Sequence, residues 1–236
     1  MISSKEWTQL LESENGSEIS KQVRTIGDGK SKEEILSQVR DLMHAWDKYY
    51  PFTKNTEVSE RLISELLNLT KKDTSLKPDM YCNISAIYSR KLAAEADNAS
   101  NDYKAGSFEG IALGYFKMAA NLSDGRLYGD NRYKTYADLL DQHKRMVLRS
   151  AKAMPAEYAN DYARGVLDGL TIIAGTYKEQ GDELVEFRDE YVSYLQEKGL
   201  DVLPNSKVSK ALLGASGTKL KSELLKSVIL SDKVHH

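Results

Sequence analysis

The sequence predicts an all-α protein, and three observations support this fold class. Apolar residues recur every three or four positions along the chain, which is the spacing of one helix face. Only four prolines interrupt the 236 residues, so long helices are possible. No segment shows the regular alternation of apolar and polar residues that is typical of a β-strand.

Capping residues and helix breakers mark an N-terminal helical segment, which we expect to span residues 1–75. A short amphipathic helix over Ser4–Glu14 ends at Asn15-Gly16. Ser31 and Glu34 have the spacing of a capping box and begin a second helix, which ends before Pro51. A third helix is predicted over Glu57–Lys71.

Residues 76–181 are predicted to form a core of two similar helical hairpins. Their helices cover Lys77–Asn98, Asp102–Leu122, Arg132–Met154 and a stretch from Pro155 to a break near Gly181. The hairpins align without a gap at one constant offset, as in an internal repeat. The identical pairs are Tyr81/Tyr136, Arg90/Arg145, Ala96/Ala151, Tyr103/Tyr158, Gly110/Gly165, Gly114/Gly169 and Ala119/Ala174. A duplication explains this match, and so does a periodicity that two amphipathic hairpins share by chance.

Glycine occurs twice at a four-residue spacing in two of these helices, and glycine weakens a helix interior by about 0.8–1 kcal/mol relative to alanine. A phosphate loop is excluded because no strand precedes the glycines, and a membrane helix is excluded because charged residues interrupt the segments. Close helix packing remains. The residues predicted to form the contact are Gly110, Gly114, Ala119, Gly165, Gly169 and Ala174.

Charge is sorted along residues 182–236, which we predict to form an acidic helix and then a basic amphipathic helix. Asp182–Asp201 contains seven acids and two bases, whereas Lys207–His236 contains six lysines and two acids. Leu220, Leu224 and Leu225 lie on one side of the basic helix. We expect this helix to dock onto its own domain or onto a second subunit.

Candidate chemical sites are weak. The stretch Gly29-Lys30-Ser31 lacks the earlier glycine and the strand of a phosphate loop. The carboxylate pairs Glu57/Glu60 and Glu179/Asp182 have a spacing that would suit magnesium, but solvated helix faces explain them better. The histidines form no site, and the single Cys82 excludes an intramolecular disulfide or a cysteine zinc cluster. We therefore predict no catalytic residue, no metal and no cofactor.

Aromatic residues cluster at one predicted helix end. They are Trp46, Tyr49, Tyr50 and Phe52. Such residues are enriched in the centres of protein interfaces, and they also cover helix ends within a domain. The cover of a helix end is the favoured interpretation, and we name these residues as interaction candidates on the other interpretation.

These observations favour a non-enzymatic protein-interaction protein, an adaptor or an inhibitor, that also self-associates. A small accessory protein of a mobile genetic element would have these features. A magnesium-dependent all-helical nucleotide hydrolase and a nucleic-acid binder that uses the lysine-rich end are the two alternatives. Because no signal peptide and no run of eighteen apolar residues is present, we expect a cytoplasmic protein with no membrane partner.

Overall fold

A computed structural model describes residues 2–49, 56–95, 102–123, 134–200 and 202. Within these ranges the regular elements are nine α-helices and two short 3-10 turns, at Thr74–Leu76 and Lys178–Gln180, and no β-strand is present. The helices are α1 (Ser4–Glu12), α2 (Gly16–Ile26), α3 (Lys32–Tyr49), α4 (Thr56–Lys72), α5 (Lys77–Glu95), α6 (Asp102–Leu122), α7 (Tyr136–Ala153), α8 (Ala156–Thr176) and α9 (Gly181–Glu197). The predicted all-α fold class is confirmed.

The contacts between Cα atoms divide the chain into two compact units. The first unit contains α1 to α5, the last residues of α6 and the first residues of α7, and the second unit contains the rest of α6 and α7 with α8 and α9. This division differs from the predicted segments 1–75, 76–181 and 182–236. It differs because α5 packs against α4 and α9 packs against α8, so that each flanking segment shares a core with one part of the hairpin region.

The first unit buries large apolar side chains between its helices. α1 packs against α3, α2 against α4, and α4 against α5. Its largest fully buried side chains are Trp7, Leu11, Ile19, Ile26, Leu42, Trp46, Leu62, Leu66, Leu76, Met80 and Ile84. Because each such side chain contributes about 1.5–3 kcal/mol on burial, these residues dominate the stabilisation of the first unit.

Local capping explains where the early helices begin. The predicted capping box is confirmed, because the Glu34 N–H donates to Ser31 Oγ at 3.3 Å and the Ser31 N–H donates to Glu34 Oε2 at 2.8 Å. The Asn15 side chain accepts the Glu18 N–H at 3.1 Å and so begins α2. α2 is missing from the predicted helices because its apolar stripe is short and lies among polar residues.

The stretch around Lys30 forms a turn, and a helix, α2, precedes it instead of a strand. Gly29 has a φ of +65°, a conformation that glycine adopts without steric cost. The Lys30 Nζ donates to the carbonyl oxygen of Thr25 at 3.1 Å. The lysine therefore closes its own turn, and the rejection of a phosphate loop here agrees with the geometry.

In the second unit α6 and α8 run in the same direction with their backbones in contact. The contact is made by Gly106, Gly110, Gly165 and Gly169. A Cβ atom added at these positions would overlap the carbonyl oxygens of Tyr162, Val166, Tyr103 and Ser107, respectively. Gly114 instead faces the side chain of Ile173, whose Cγ2 would lie 2.7 Å from an added Cβ. Ala119 and Ala174 are both buried.

The contact between α6 and α8 has a local twofold pattern. Gly106 and Gly165 occupy equivalent places, as do Gly110 and Gly169. The predicted repeat instead pairs Gly110 with Gly165. The sequence offset of that repeat is therefore shorter than the offset of the contact pairs, and the difference equals the separation of Gly106 and Gly110. Since this spacing is about one helical turn, the two alignments keep similar apolar stripes but pair different glycines. The predicted repeat is not confirmed.

The predicted break near Gly181 is confirmed. α8 ends at Thr176, and a 3-10 turn separates it from α9. Gly181 is the first residue of α9, and Asp182 lies within the first turn instead of capping it. A Cβ at Gly181 would lie 3.0 Å from the carbonyl oxygen of Ala174, so the chain is also closely packed at this junction.

Candidate interaction surface

α9 lies against α8 through one face of the helix. Its buried side chains are Leu184, Phe187, Arg188, Tyr191 and Leu195. Because they recur every three or four residues, they form a single face, and the opposite face is left to solvent. The burial of this face determines which side chains of α9 a partner can reach.

Arg188 fixes the rotation of α9 through buried polar contacts. Its Nη1 donates to Thr171 Oγ1 on α8 at 3.1 Å, and its Nε and Nη2 donate to Asp189 Oδ1 at 2.9 and 2.8 Å. A buried guanidinium is costly unless it is paired in this way. The bond to Thr171 therefore links α9 to α8, and the bonds to Asp189 pair the guanidinium with a carboxylate at the edge of the exposed face.

Aromatic rings on α9 hold nearby lysines. The rings of Phe187 and Tyr191 stack with centroids 6.2 Å apart, and those of Tyr191 and Tyr194 with centroids 5.6 Å apart. The Lys144 Nζ lies 5.8 Å from the Phe187 centroid and 5.4 Å from the Tyr194 centroid. The Lys117 Nζ lies 5.7 Å from the Phe187 centroid. These distances suit cation–π interactions, so the two ammonium groups are positioned by the rings of α9.

The exposed side of α9 carries one sign of charge. Six carboxylates of α9 are exposed, and we call the five that precede Tyr191 the acidic face; they are Asp182, Glu183, Glu186, Asp189 and Glu190. From Gly181 to Glu197 the only basic residue is the buried Arg188. Four of the carboxylates line a shallow, open depression together with Val185 and Ser193. Among the described residues, no cation pairs with Asp182, Glu186 or Glu190.

A buried hydrogen-bonding contact joins α6 and α7 in the second unit. His143 Nε2 and Glu109 Oε2 are 2.5 Å apart, and both residues are 6% exposed. The Phe116 ring lies 5.0 Å from the His143 ring, centroid to centroid. Burial raises the pKa values of Tyr162 and Tyr191, and the charge of Glu109 acts in the same direction. Because solvent is excluded from these groups, they support the core and do not form an open site.

A second buried carboxylate lies beside the glycine contact. Asp168 on α8 is 1% exposed, and its Oδ2 accepts a hydrogen bond from the Tyr103 hydroxyl at 2.6 Å. Its Oδ1 is buried without a hydrogen-bond partner. Burial raises the pKa of Asp168, although the Tyr103 hydrogen bond and the charges of Arg164 and Arg188 oppose this shift.

The predicted carboxylate pairs lie on exposed helix surfaces. Glu57 and Glu60 are on α4, and Glu57 Oε1 accepts a hydrogen bond from Arg61 Nη2 at 2.7 Å. Glu179, in the 3-10 turn before α9, and Asp182, in the first turn of α9, are exposed in the other compact unit. In the ranges that the structure covers, no group of three or more His, Cys, Asp or Glu side chains could hold a metal ion.

Of the predicted interaction residues, only Trp46 and Tyr49 are described. Trp46 is completely buried, and Tyr49 is 8% exposed with its hydroxyl donating to Glu14 Oε1 at 2.8 Å. Both belong to the core of the first unit, which favours the cover of a helix end over the interface interpretation. Tyr50 and Phe52, with Leu220, Leu224 and Leu225, lie outside the described residues.

The buried ionisable residues Glu109, His143, Asp168 and Arg188 are missing from the predicted site residues. Glu109 and Asp168 each interrupt an apolar stretch of a predicted helix, and this is the signal that could have identified them. A charged residue in an apolar stretch needs a buried partner. The partner lies on another helix in each case, so the sequence does not identify it.

The chain was also compared with known proteins. No described helix combines the length and the apolar character needed to cross a membrane. Comparisons with protein-family models, with curated proteins and with solved structures gave no match for this chain.

Proposed function

We propose that this chain is a non-enzymatic protein-interaction protein, an adaptor or an inhibitor, that binds a basic polypeptide segment of its partner through the acidic face. One observation carries the proposal: five exposed carboxylates lie on a helix whose opposite side is packed against α8. A partner that approaches α9 therefore meets a surface of one charge.

The dimensions of the acidic face suit an extended partner. From Asp182 to Glu190 the helix rises about 12 Å, at roughly 1.5 Å per residue. A single calcium ion needs ligands within about 2.3–2.6 Å, so a row of this length is too spread out to surround one ion. Several lysines or arginines on one peptide would match the row along its length.

The packing of α9 on α8 favours binding, because it holds the acidic face in place before a partner arrives. The buried Arg188 contacts fix the helix, so little conformational freedom is lost when a partner binds. Complementary charge accelerates association and selects partners of the right sign. Val185 also lines the depression and supplies an apolar contact there.

The proposal is tested by the binding of a fluorescein-labelled, lysine- and leucine-rich helical peptide to the full chain. In fluorescence anisotropy, Glu186→Lys with Glu190→Lys should weaken binding by about tenfold or more. The matched control is Glu33→Lys with Glu157→Lys, which changes the net charge equally at exposed carboxylates outside α9. It should alter the Kd by less than about twofold.

Equal losses in the two double variants would mean that net charge alone attracts the peptide, and the proposed surface would be wrong. A glutamate-rich peptide of the same length serves as the negative probe. Tight binding of that peptide would also contradict the proposal.

A further inference from the structure

The residues that follow α9 are hydrogen-bonded to the last turn of that helix. Gly199, with a φ of +87°, ends the helix, and the Leu200 N–H donates to the Leu195 carbonyl oxygen at 3.1 Å while the Gly199 N–H donates to that of Gln196 at 2.9 Å. These two bonds form a Schellman motif. The Gln196 Nε2 then donates to the Val202 carbonyl oxygen at 3.1 Å, and Val202 is 2% exposed. The chain is therefore fastened to the last turn of α9 at Val202.

We infer that the lysine-rich segment Lys207–Lys226 of this chain docks in cis on its own acidic face. The inference rests on the proposed function, because it assigns an occupant to the same surface. The segment competes there with the basic segment of a partner and so limits access to the acidic face.

Charge complementarity is the first argument for this occupant. Lys207–Lys226 contains five lysines and one acid, Glu223, whereas the acidic face contains five carboxylates and no exposed base. The apolar residues of the segment include Leu220, Leu224 and Leu225. Val185 offers an apolar contact on the opposing surface. The segment thus has both the sign and the mixed character that the acidic face requires.

The length of the tether is the second argument. Only Leu203–Ser206 separate Val202 from Lys207, and an extended chain covers at most about 3.3–3.6 Å per residue. The length of the chain therefore limits the distance from Val202 to Lys207 to roughly 18 Å at most. From that turn to Asp182 the helix rises about 21 Å, so the lysines that follow can reach every carboxylate of the acidic face.

The same tether favours docking in cis over docking on a second copy. A tether of a few residues raises the effective concentration of its attached segment into roughly the millimolar range. Free chains at micromolar concentration are about a thousandfold more dilute than this. A contact of modest affinity therefore suffices within one chain and is too weak between chains.

The inference is tested by zero-length carbodiimide cross-linking of the full chain in an equal mixture of unlabelled and heavy-isotope-labelled protein. Mass spectrometry should find bonds between lysines of Lys207–Lys226 and carboxylates of the acidic face, with both peptides carrying the same label. Raising the ionic strength to about 1 M, where the Debye length is about 3 Å, should reduce their yield by about tenfold. Glu33 and Glu157 report the background yield.

Charge reversal provides a second test that does not depend on removing reactive groups. Glu186→Lys with Glu190→Lys should abolish cross-links to the remaining carboxylates of the acidic face. Combining these changes with Lys219→Glu and Lys221→Glu should restore cross-links with donor and acceptor exchanged. Bonds that join peptides of different label, or yields no higher than those at Glu33 and Glu157, would overturn docking in cis.

Peptide binding separates this inference from the proposed function. Replacing the five lysines of the segment with glutamine should tighten the binding of the external lysine- and leucine-rich peptide by about tenfold. Unchanged tight binding would contradict docking in cis and leave the proposed function standing. Failure of the peptide to bind this variant would contradict the proposed function, while same-label cross-links in the unaltered chain would still support docking.

Discussion

The two compact units bring their helices together in opposite ways. The first unit fills the space between helices with Trp, Leu, Ile and Met side chains, whereas in the second unit four glycines bring the backbones of α6 and α8 into direct contact. In the first unit Arg24 and Glu65 pair at 2.7 Å, with the arginine side chain 65% exposed and the glutamate side chain 5% exposed. The second unit buries Glu109, His143 and Asp168. The first unit therefore depends on the apolar side chains that fill its core. The second unit depends on the absence of side chains where α6 and α8 touch, and on contacts between buried polar groups.

The removal of a large core side chain tests the first unit. Trp46→Ala should lower the free energy of unfolding by about 3–5 kcal/mol, because the completely buried ring leaves a cavity. Denaturant unfolding of the full chain measures the loss, and Trp46→Phe should show a smaller one. A loss below about 1 kcal/mol together with impaired partner binding would return Trp46 to the interface role expected from the sequence.

The addition of a single carbon tests the second unit. Gly110→Ala should destabilise the protein by about 2–3 kcal/mol, because its Cβ would overlap the Val166 carbonyl oxygen and the backbones must separate. This cost must exceed the gain of about 1 kcal/mol that alanine brings to a helix. Thermal and denaturant unfolding both report it.

Two other glycine-to-alanine variants show how the loss of stability depends on the atoms that the added Cβ would meet. Gly27→Ala in the first unit should change stability by less than about 1 kcal/mol, because its Cβ would meet the mobile end of Leu69, with Cδ2 at 2.9 Å. Gly114→Ala should fall between the two, since the Ile173 side chain can move. Equal effects at all three positions would mean that α6 and α8 tolerate separation.

The difference between the units also explains what the sequence predicts. Long helices such as α6 and α8 follow from apolar spacing, which is a local property of the chain. The partner of Glu109 follows from tertiary packing, because His143 lies 34 residues further along the chain on another helix. Which glycines of α6 and α8 pair with each other changes when one helix is shifted by one turn relative to the other. The helical period does not distinguish two sequence alignments whose offsets differ by one turn. The excess of acid on α9 is visible in the sequence, but which of its residues are exposed depends on how the helix packs.

A buried carboxylate should make the second unit sensitive to pH. Burial raises the pKa of Asp168, so the folded protein holds this proton more tightly than the unfolded chain does. The pKa of this aspartate is about 3.9 in the unfolded chain and higher in the folded protein. As the pH rises through these two pKa values, the ionisation of Asp168 therefore lowers the free energy of unfolding. Asp168→Asn removes this penalty and should stabilise the protein by about 1 kcal/mol at neutral pH.

The advantage of Asp168→Asn should shrink as the pH falls from neutrality through the raised pKa of Asp168, because the wild-type carboxyl then becomes protonated as well. Urea unfolding across this range measures it. Glu157→Gln, at an exposed position of the same helix, is the control and should give a difference that changes little with pH. If the advantage of Asp168→Asn were largest in acid, the pH dependence would have the opposite sign. That result would contradict a raised pKa of Asp168 in the folded protein.

An exposed carboxylate of the same unit should behave in the opposite way. Glu186→Gln should change the free energy of unfolding by less than about 0.5 kcal/mol, because the side chain is exposed and no described cation pairs with it. It should nevertheless weaken the binding of the lysine- and leucine-rich peptide, which Asp168→Asn should leave unchanged. Unfolding and anisotropy measured on both variants separate the two roles. If Glu186→Gln destabilised the fold while peptide binding persisted, the acidic face would serve the folding of the second unit and not recognition.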